Sequence, residues 1–107
     1  MGQTVHLTAA DGHNLSAYKA DPDGTPKGGL VVIQEIFGVN AHIQEVCDGF
    51  AADGYVAIAP ALFDRAERNV NLGYEEEDRQ KGMSLRAQTD WDDNVQDAIA
   101  ARNAIKD

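Results

Sequence analysis

Groups that meet a ligand in an open α/β sheet lie at the carboxyl ends of its strands. One carboxylate in this sequence occupies such a place: Glu35, in Gln34-Glu35-Ile36-Phe37-Gly38, directly after the apolar run Leu30-Val31-Val32-Ile33. A carboxylate at the end of a buried strand is poorly solvated, and it persists only with hydrogen-bond or charge partners or with a raised pKa. Spacing alone leaves two roles open. Glu35 is either a tuned functional carboxylate or a cap that accepts loop backbone N–H groups.

The other nucleophile types lack the context that would activate them. No Gly-x-Ser-x-Gly or Gly-x-Cys-x-Gly elbow occurs, and neither Ser16 nor Ser84 follows an apolar strand into a helix. Cys47 is the lone cysteine and falls on the apolar face of a helical pattern, where a free thiol is ordinarily a small core residue. His6 and His13 sit in or beside an N-terminal hairpin and His42 in the first turn of a helix; all three read as surface histidines, with His42 alone near the Glu35 loop. The spacing Gly24-x-x-x-Gly28-Gly29 precedes a strand, whereas a phosphate cradle follows one and opens a helix, so nucleotide binding is unsupported. No Cys or His spacing suits a metal, and no cofactor is expected.

Alternating residues in 4–9 and 14–20 around Asp11-Gly12-His13 predict a hairpin at the start of the sheet. The continuous apolar run from Gly29 to Ile33 predicts a central parallel strand covered on both faces. Ile43, Val46, Cys47, Phe50 and Ala51 mark one face of a helix with Asn40 as N-cap and Gly54 as C′ residue. Tyr55 to Ala59, ended by Pro60, is a second buried strand, so residues 29–59 form strand, helix, strand. Residues 60–73 read as loop and 74–88 as a charged helix weakened by Gly82. Trp91, Val95, Ala98, Ile99, Arg102 and Ile105 mark a last helix, with Asp90, Asp92 and Asp93 suiting its positive end. The fold class is therefore α/β: an N-terminal hairpin followed by parallel β/α units, in a single partial domain over 1–107.

The runs Gln34-Glu35-Ile36-Phe37-Gly38-Val39-Asn40, Gly54-Tyr55-Val56-Ala57 and Ala59-Pro60-Ala61-Leu62-Phe63 resemble the N-terminal signature of the dienelactone hydrolase family. The resemblance covers most of the chain and loosens after Phe63. It implies the N-terminal part of an α/β-hydrolase sheet, and a carboxylic-ester or lactone hydrolase similar to carboxymethylenebutenolidases. The family's Cys or Ser nucleophile, Asp and His would lie beyond this sequence. By the same resemblance Glu35 corresponds to a buried glutamate that contacts the nucleophile and helps to activate it. Ile36 corresponds to the residue whose backbone N–H is one oxyanion donor, a fitting use of a rigid main-chain dipole. In Asp78-Arg79-Gln80-Lys81, Lys81 stands where the family has an arginine that holds a substrate carboxylate, with Arg79 beside it. A point charge in place of a planar fork weakens bidentate recognition. Read without the resemblance, Arg79 and Lys81 belong to a solvated helix face paired with Glu75 to Asp78.

A net charge of −9 over 107 residues repels phosphate backbones, which sets aside nucleic acid and anionic membranes as partners. Five of the nine Lys and Arg residues nevertheless cluster between Arg65 and Arg86, so a small anion could find a local home there. The lone cysteine and the lack of a leader-like N-terminus imply a cytoplasmic setting. Two functions are expected to compete. One is the ester or lactone hydrolase, whose partner is its small substrate. The other is a non-catalytic β/α module acting through its strand edge, which would pair with a missing C-terminal segment or with a second copy.

Overall fold

The computed structural model describes residues 2–105. Strands β1 (Gly2–Thr8) and β2 (Asn14–Ala20) form the expected hairpin, in register from Gly2 opposite Ala20 to Thr8 opposite Asn14. The turn closes through Ala9 N–H to the His13 carbonyl and Gly12 N–H to the Ala9 carbonyl, with Gly12 at φ 89°. Strand β3 (Gly29–Val31), helix α1 (Ala41–Ala52) and strand β4 (Val56–Pro60) follow. A short 3₁₀ turn (Leu62–Arg65) leads through a loop to α2 (Glu76–Ala87) and α3 (Trp91–Ile105).

The sheet order is β1-β2-β4-β3, with β2 antiparallel and β3 parallel to β4. All five residues of β4 are buried. Its side chains alternate between two cores, as the period of a strand requires. Val56 and Ile58 pack with Leu7, Leu15, Ala101 and Ile105 beneath α3; Ala57 and Ala59 pack with Ala20, Ile43, Cys47 and Ala51 beneath α1. Fully buried side chains such as Leu15 and Ile58 each contribute about 1.5–3 kcal/mol. Asn40 caps α1 as expected, its Oδ1 accepting the Ile43 N–H at 3.2 Å, and Gly54 follows the helix at φ 101°.

Two elements show more than their sequence patterns did. The run from Gly29 to Ile33, read as a central parallel strand whose outer edge this chain would leave unpaired, is the edge of the sheet among the described residues, and its strand β3 is only three residues long, with Ile33 54% exposed. The two faces of the run are partly covered, Val31 packing on the core beneath α3 and Val32 on the core beneath α1, while β4 has strand neighbours on both sides. The apolar stripe of α3 reaches the core fully only at its end, through Ile105. The helix buries Asp97, Ala101 and Ile105, whereas Trp91 is 77% exposed and Val95 and Ile99 are about two-fifths exposed. An aspartate can face inward because Arg65 meets it from the 3₁₀ turn, Nη2 to Oδ1 at 2.9 Å and Nε to Oδ2 at 3.0 Å.

Candidate active site

The loop after β3 is held from three sides. Val32 N–H continues the ladder to the Ile58 carbonyl at 2.8 Å, and Gln34 Oε1 then accepts the Leu62 N–H at 3.0 Å, tying the strand end to the 3₁₀ turn. Gly38 closes the tight turn on the Glu35 carbonyl at 3.2 Å. Its φ of 82° and the nearness of the Val70 carbonyl leave no room for a β-carbon, so this glycine is required on both counts. The Leu72 N–H donates to the Phe37 carbonyl at 2.9 Å, and the Phe37 and Tyr74 rings meet edge to face at 4.6 Å. Buried Asn40 donates from Nδ2 to the Leu72 carbonyl and to the Tyr74 hydroxyl, both at 3.2 Å. The third support is α2, whose Gly82 lies against the Ile36 carbonyl with no space for a side chain between them.

Beside this loop opens a cleft of about 370 Å³. Ile33, Ile36, Leu62, Phe63, Val95 and Ala98 give it apolar walls, with the Trp91 ring at its margin. Its polar groups are Gln34, Glu35, Arg86, Thr89 and Asn94. An apolar cavity with a few convergent polar groups is the usual form of a small-molecule site. The structure thus brings Glu35 and Ile36 together at one cleft. Among the described residues no backbone carbonyl takes the Ile36 N–H, which leaves a rigid donor available beside the cleft. That arrangement can stabilise an oxygen that gains negative charge.

Glu35 differs from expectation in one respect: its side chain is exposed. Solvation is sufficient to keep a carboxylate in place here, because the β3 edge and the Ile33 face beside it are uncovered among the described residues. Arg79 and Lys81 are not brought to the cleft. Arg79 grips Glu76 with both Nε and Nη2, and Lys81 Nζ meets Glu67 at 3.0 Å, on the exposed part of α2. The mutual contact holds the Glu76 carboxyl below its ordinary value and the Arg79 guanidinium above its own. The cation that does line the cleft is Arg86. Only its place in the Arg65–Arg86 cluster pointed to it in the sequence. Gly82, read there as a weak point of the helix, is instead a contact residue.

The remaining nucleophile types stay outside the cleft. Cys47 is fully buried, and burial pushes its thiol up to about 11, which keeps it protonated and inert at neutral pH. Ser84 is exposed on α2, and Ser16 lies within β2, its N–H donating to Asp64 at 2.8 Å. His6 and His42 are exposed as expected; His13 is half-buried, with Nε2 sealed in without a partner among the described residues. No group of three or more His, Cys, Asp and Glu side chains among the described residues could hold a metal ion. No described helix is long and apolar enough to cross a membrane.

The profile of the dienelactone hydrolase family matches residues 15–107, which takes in β2 through α3 and the whole cleft. The chain belongs to this family. A carboxymethylenebutenolidase homologue of Azospirillum brasilense is 49% identical over 69 residues, covering 64% of this chain and 30% of that protein. The carboxymethylenebutenolidase of Pseudomonas putida is 32% identical over 98 residues, covering 91% of this chain and 42% of its own. Among solved structures, the one named m3DLH superposes over 99% of this chain and 44% of its own, with a TM-score of 0.68 and 25% identity. The α/β-hydrolase fold expected from the sequence is therefore the fold of the dienelactone hydrolases, a family of hydrolases. The chain spans less than half the length of each of these relatives.

Proposed function

We propose that the chain is the oxyanion-donor part of a carboxylic-ester or lactone hydrolase. The observation that carries this reading is the junction of the Ile36 N–H and Glu35 at the mouth of an apolar cleft, on a loop fixed by Gln34, Gly38 and Gly82. A carbonyl oxygen seated at Ile36 would gain a donor as it becomes tetrahedral, which lowers the barrier only if the donor is already in place. Glu35 would act on a nucleophile brought beside it, accepting its proton or fixing its orientation. These 107 residues hold no elbow serine or cysteine, so nucleophile, acid and base would come from further polypeptide. Without them, catalysis would fall far below the enzymatic range. The setting would be cytoplasmic, in keeping with the lone buried thiol. The test is ester turnover by a protein that joins this chain to a segment bearing an elbow nucleophile, Asp and His. Glu35→Gln should then lower kcat while folding is retained. Unchanged kcat would remove Glu35 from the mechanism.

A second reading, a β/α module acting through assembly, is favoured by one observation: the edge of β3, unpaired among the described residues, runs into exposed Ile33, which shares a cleft with exposed Trp91 and Val95. Open strand edges bordered by apolar side chains pair readily. The occupant would be a further segment of family polypeptide or a second copy of this chain. Native mass spectrometry of the purified chain separates the readings: a symmetric pair supports the module, whereas a heavier companion polypeptide supports a hydrolase assembled from parts.

A further inference from the structure

We infer that Gln34 is a positioning residue for the oxyanion donor: its one side-chain amide joins the 3₁₀ turn to the Glu35 carbonyl and so fixes the direction of the Ile36 N–H. This rests on the ester-hydrolase reading and adds to it the contact that holds the donor in place before a substrate arrives.

The Glu35 carbonyl and the Ile36 N–H are the two ends of one peptide unit. That unit is planar and trans, so the N–H points opposite to the C=O. Whatever holds the carbonyl therefore aims the donor. Two groups hold it, Gln34 Nε2 and the Gly38 N–H, each donating at 3.2 Å. A single donor leaves the peptide plane free to rock, and a second restrains it. Among the described residues no hydrogen bond uses the Ile36 N–H, and Ile36 lines the cleft. Donors on a carbonyl also polarise the peptide, which strengthens the bond that its N–H can make.

Gln34 is itself anchored. Its Oε1 accepts the Leu62 N–H at 3.0 Å, an amide at the first position of the 3₁₀ turn, where no earlier carbonyl of the same turn is available. The turn is fastened in its own right, because the Ala61 N–H donates to the Ser16 carbonyl of β2 at 2.8 Å. The position thus asks one side chain for an acceptor toward Leu62 and a donor toward Glu35, which a carboxamide provides. A glutamate offers acceptors alone and would set a carboxylate oxygen against the Glu35 carbonyl oxygen. Methionine, of similar length, offers no donor and only a weak acceptor.

The experiment reads the direction of the Ile36 N–H from its residual dipolar coupling in this chain, weakly aligned, with the amides of β4 and α1 defining the frame. In the parent the Ile36 coupling should fit that frame. Gln34→Glu keeps the acceptor for Leu62 and removes the donor to the Glu35 carbonyl, so the Ile36 coupling should leave the frame while the Leu62 amide stays protected from hydrogen exchange. Gln34→Met should release both amides, and it keeps the test decisive should Gln34→Glu disturb folding. Gln3→Glu, which adds the same charge at an exposed position of β1, should change neither. In the hydrolase joined to its nucleophile segment, both Gln34 variants should lower kcat about tenfold and leave KM within about twofold, the split expected of a donor felt in the transition state. An Ile36 coupling that stays in the frame in either variant overturns the inference and leaves the ester reading standing. A coupling that leaves the frame with kcat intact removes Ile36 from the oxyanion site, and both fall together.

Discussion

Gly82 of α2 packs directly on the Ile36 carbonyl, so that a β-carbon at position 82 would overlap the backbone of the candidate oxyanion loop. In an ordinary exposed helix interior Gly→Ala stabilises by about 1 kcal/mol. Here the sign reverses, because the added methyl meets backbone, which yields less readily than the end of a side chain. Gly82→Ala should lose about 1–2 kcal/mol in urea unfolding, and the Ile36 amide should move in its NMR spectrum. A variant more stable than the parent would show that α2 does not brace this loop.

The Arg65–Asp97 pair makes a second prediction. Asp97 is fully buried on the core side of α3 and Arg65 is mostly shielded, with two hydrogen bonds between them. Removing Arg65 strands the fully buried Asp97 carboxylate, whereas Arg65 without Asp97 would keep Asp11, so Arg65→Ala should cost about 3–5 kcal/mol, more than a typical surface substitution. Replacing both by apolar residues of similar volume should recover most of that loss. Urea midpoints of the single and double variants check this, and a double variant no better than the single would assign the cost to lost packing instead.

Arg65 also reaches outward to Asp11 in the hairpin turn, Nη1 to Oδ2 at 2.9 Å. The Arg65 hydrogen bond, aided by the His13 N–H, brings the Asp11 carboxyl down from 3.8 to about 2. A carboxyl lowered in the folded state binds its proton first in the unfolded chain. Its contribution is therefore fully present above the ordinary value and is lost as pH falls from about 4 through about 2. Asp11→Asn should narrow the stability gap to the parent to nothing across that window. An Asp11 side-chain NMR titration midpoint near the ordinary carboxylate value would contradict the contact.

What could be read from the sequence follows the reach of each interaction. The β1–β2 hairpin, the Asn40 cap and the buried β4 are written in local patterns: alternation, a capping residue and an apolar run. Glu35 stood out because a strand end is a local feature, and Ile36 was singled out by the family resemblance alone. The inward side of α3 was not, since Asp97 is buried only by virtue of Arg65, 32 positions away. The places of Gly82 and Arg86 beside the Ile36 loop and its cleft were hidden for the same reason. Their meaning lies in the Ile36 loop, which no spacing within α2 reveals. The apolar run at β3 reports the faces the strand covers, where Val31 and Val32 pack on the two cores, and not what flanks its edge among these residues.

The exposed side of that run carries the last prediction. Ile33 beside the β3 edge and Trp91, Val95 and Ile99 along one stripe of α3 present apolar surface on the same side as the cleft. Surface of this kind is stabilised by burial against another polypeptide. At rising concentration the chain should therefore sediment as more than a monomer, with the Trp91 fluorescence shifting to the blue as its ring leaves water. Trp91→Glu should hold the chain monomeric, because a carboxylate there would be desolvated on association. Ile33→Lys should do the same by placing a charge beside the open edge, the device natural sheets use to discourage pairing. If both variants associate as the parent does, the contact lies elsewhere. If the parent stays monomeric with a red-shifted tryptophan throughout, the exposed stripe is not a self-association surface, and its occupant must be a different polypeptide.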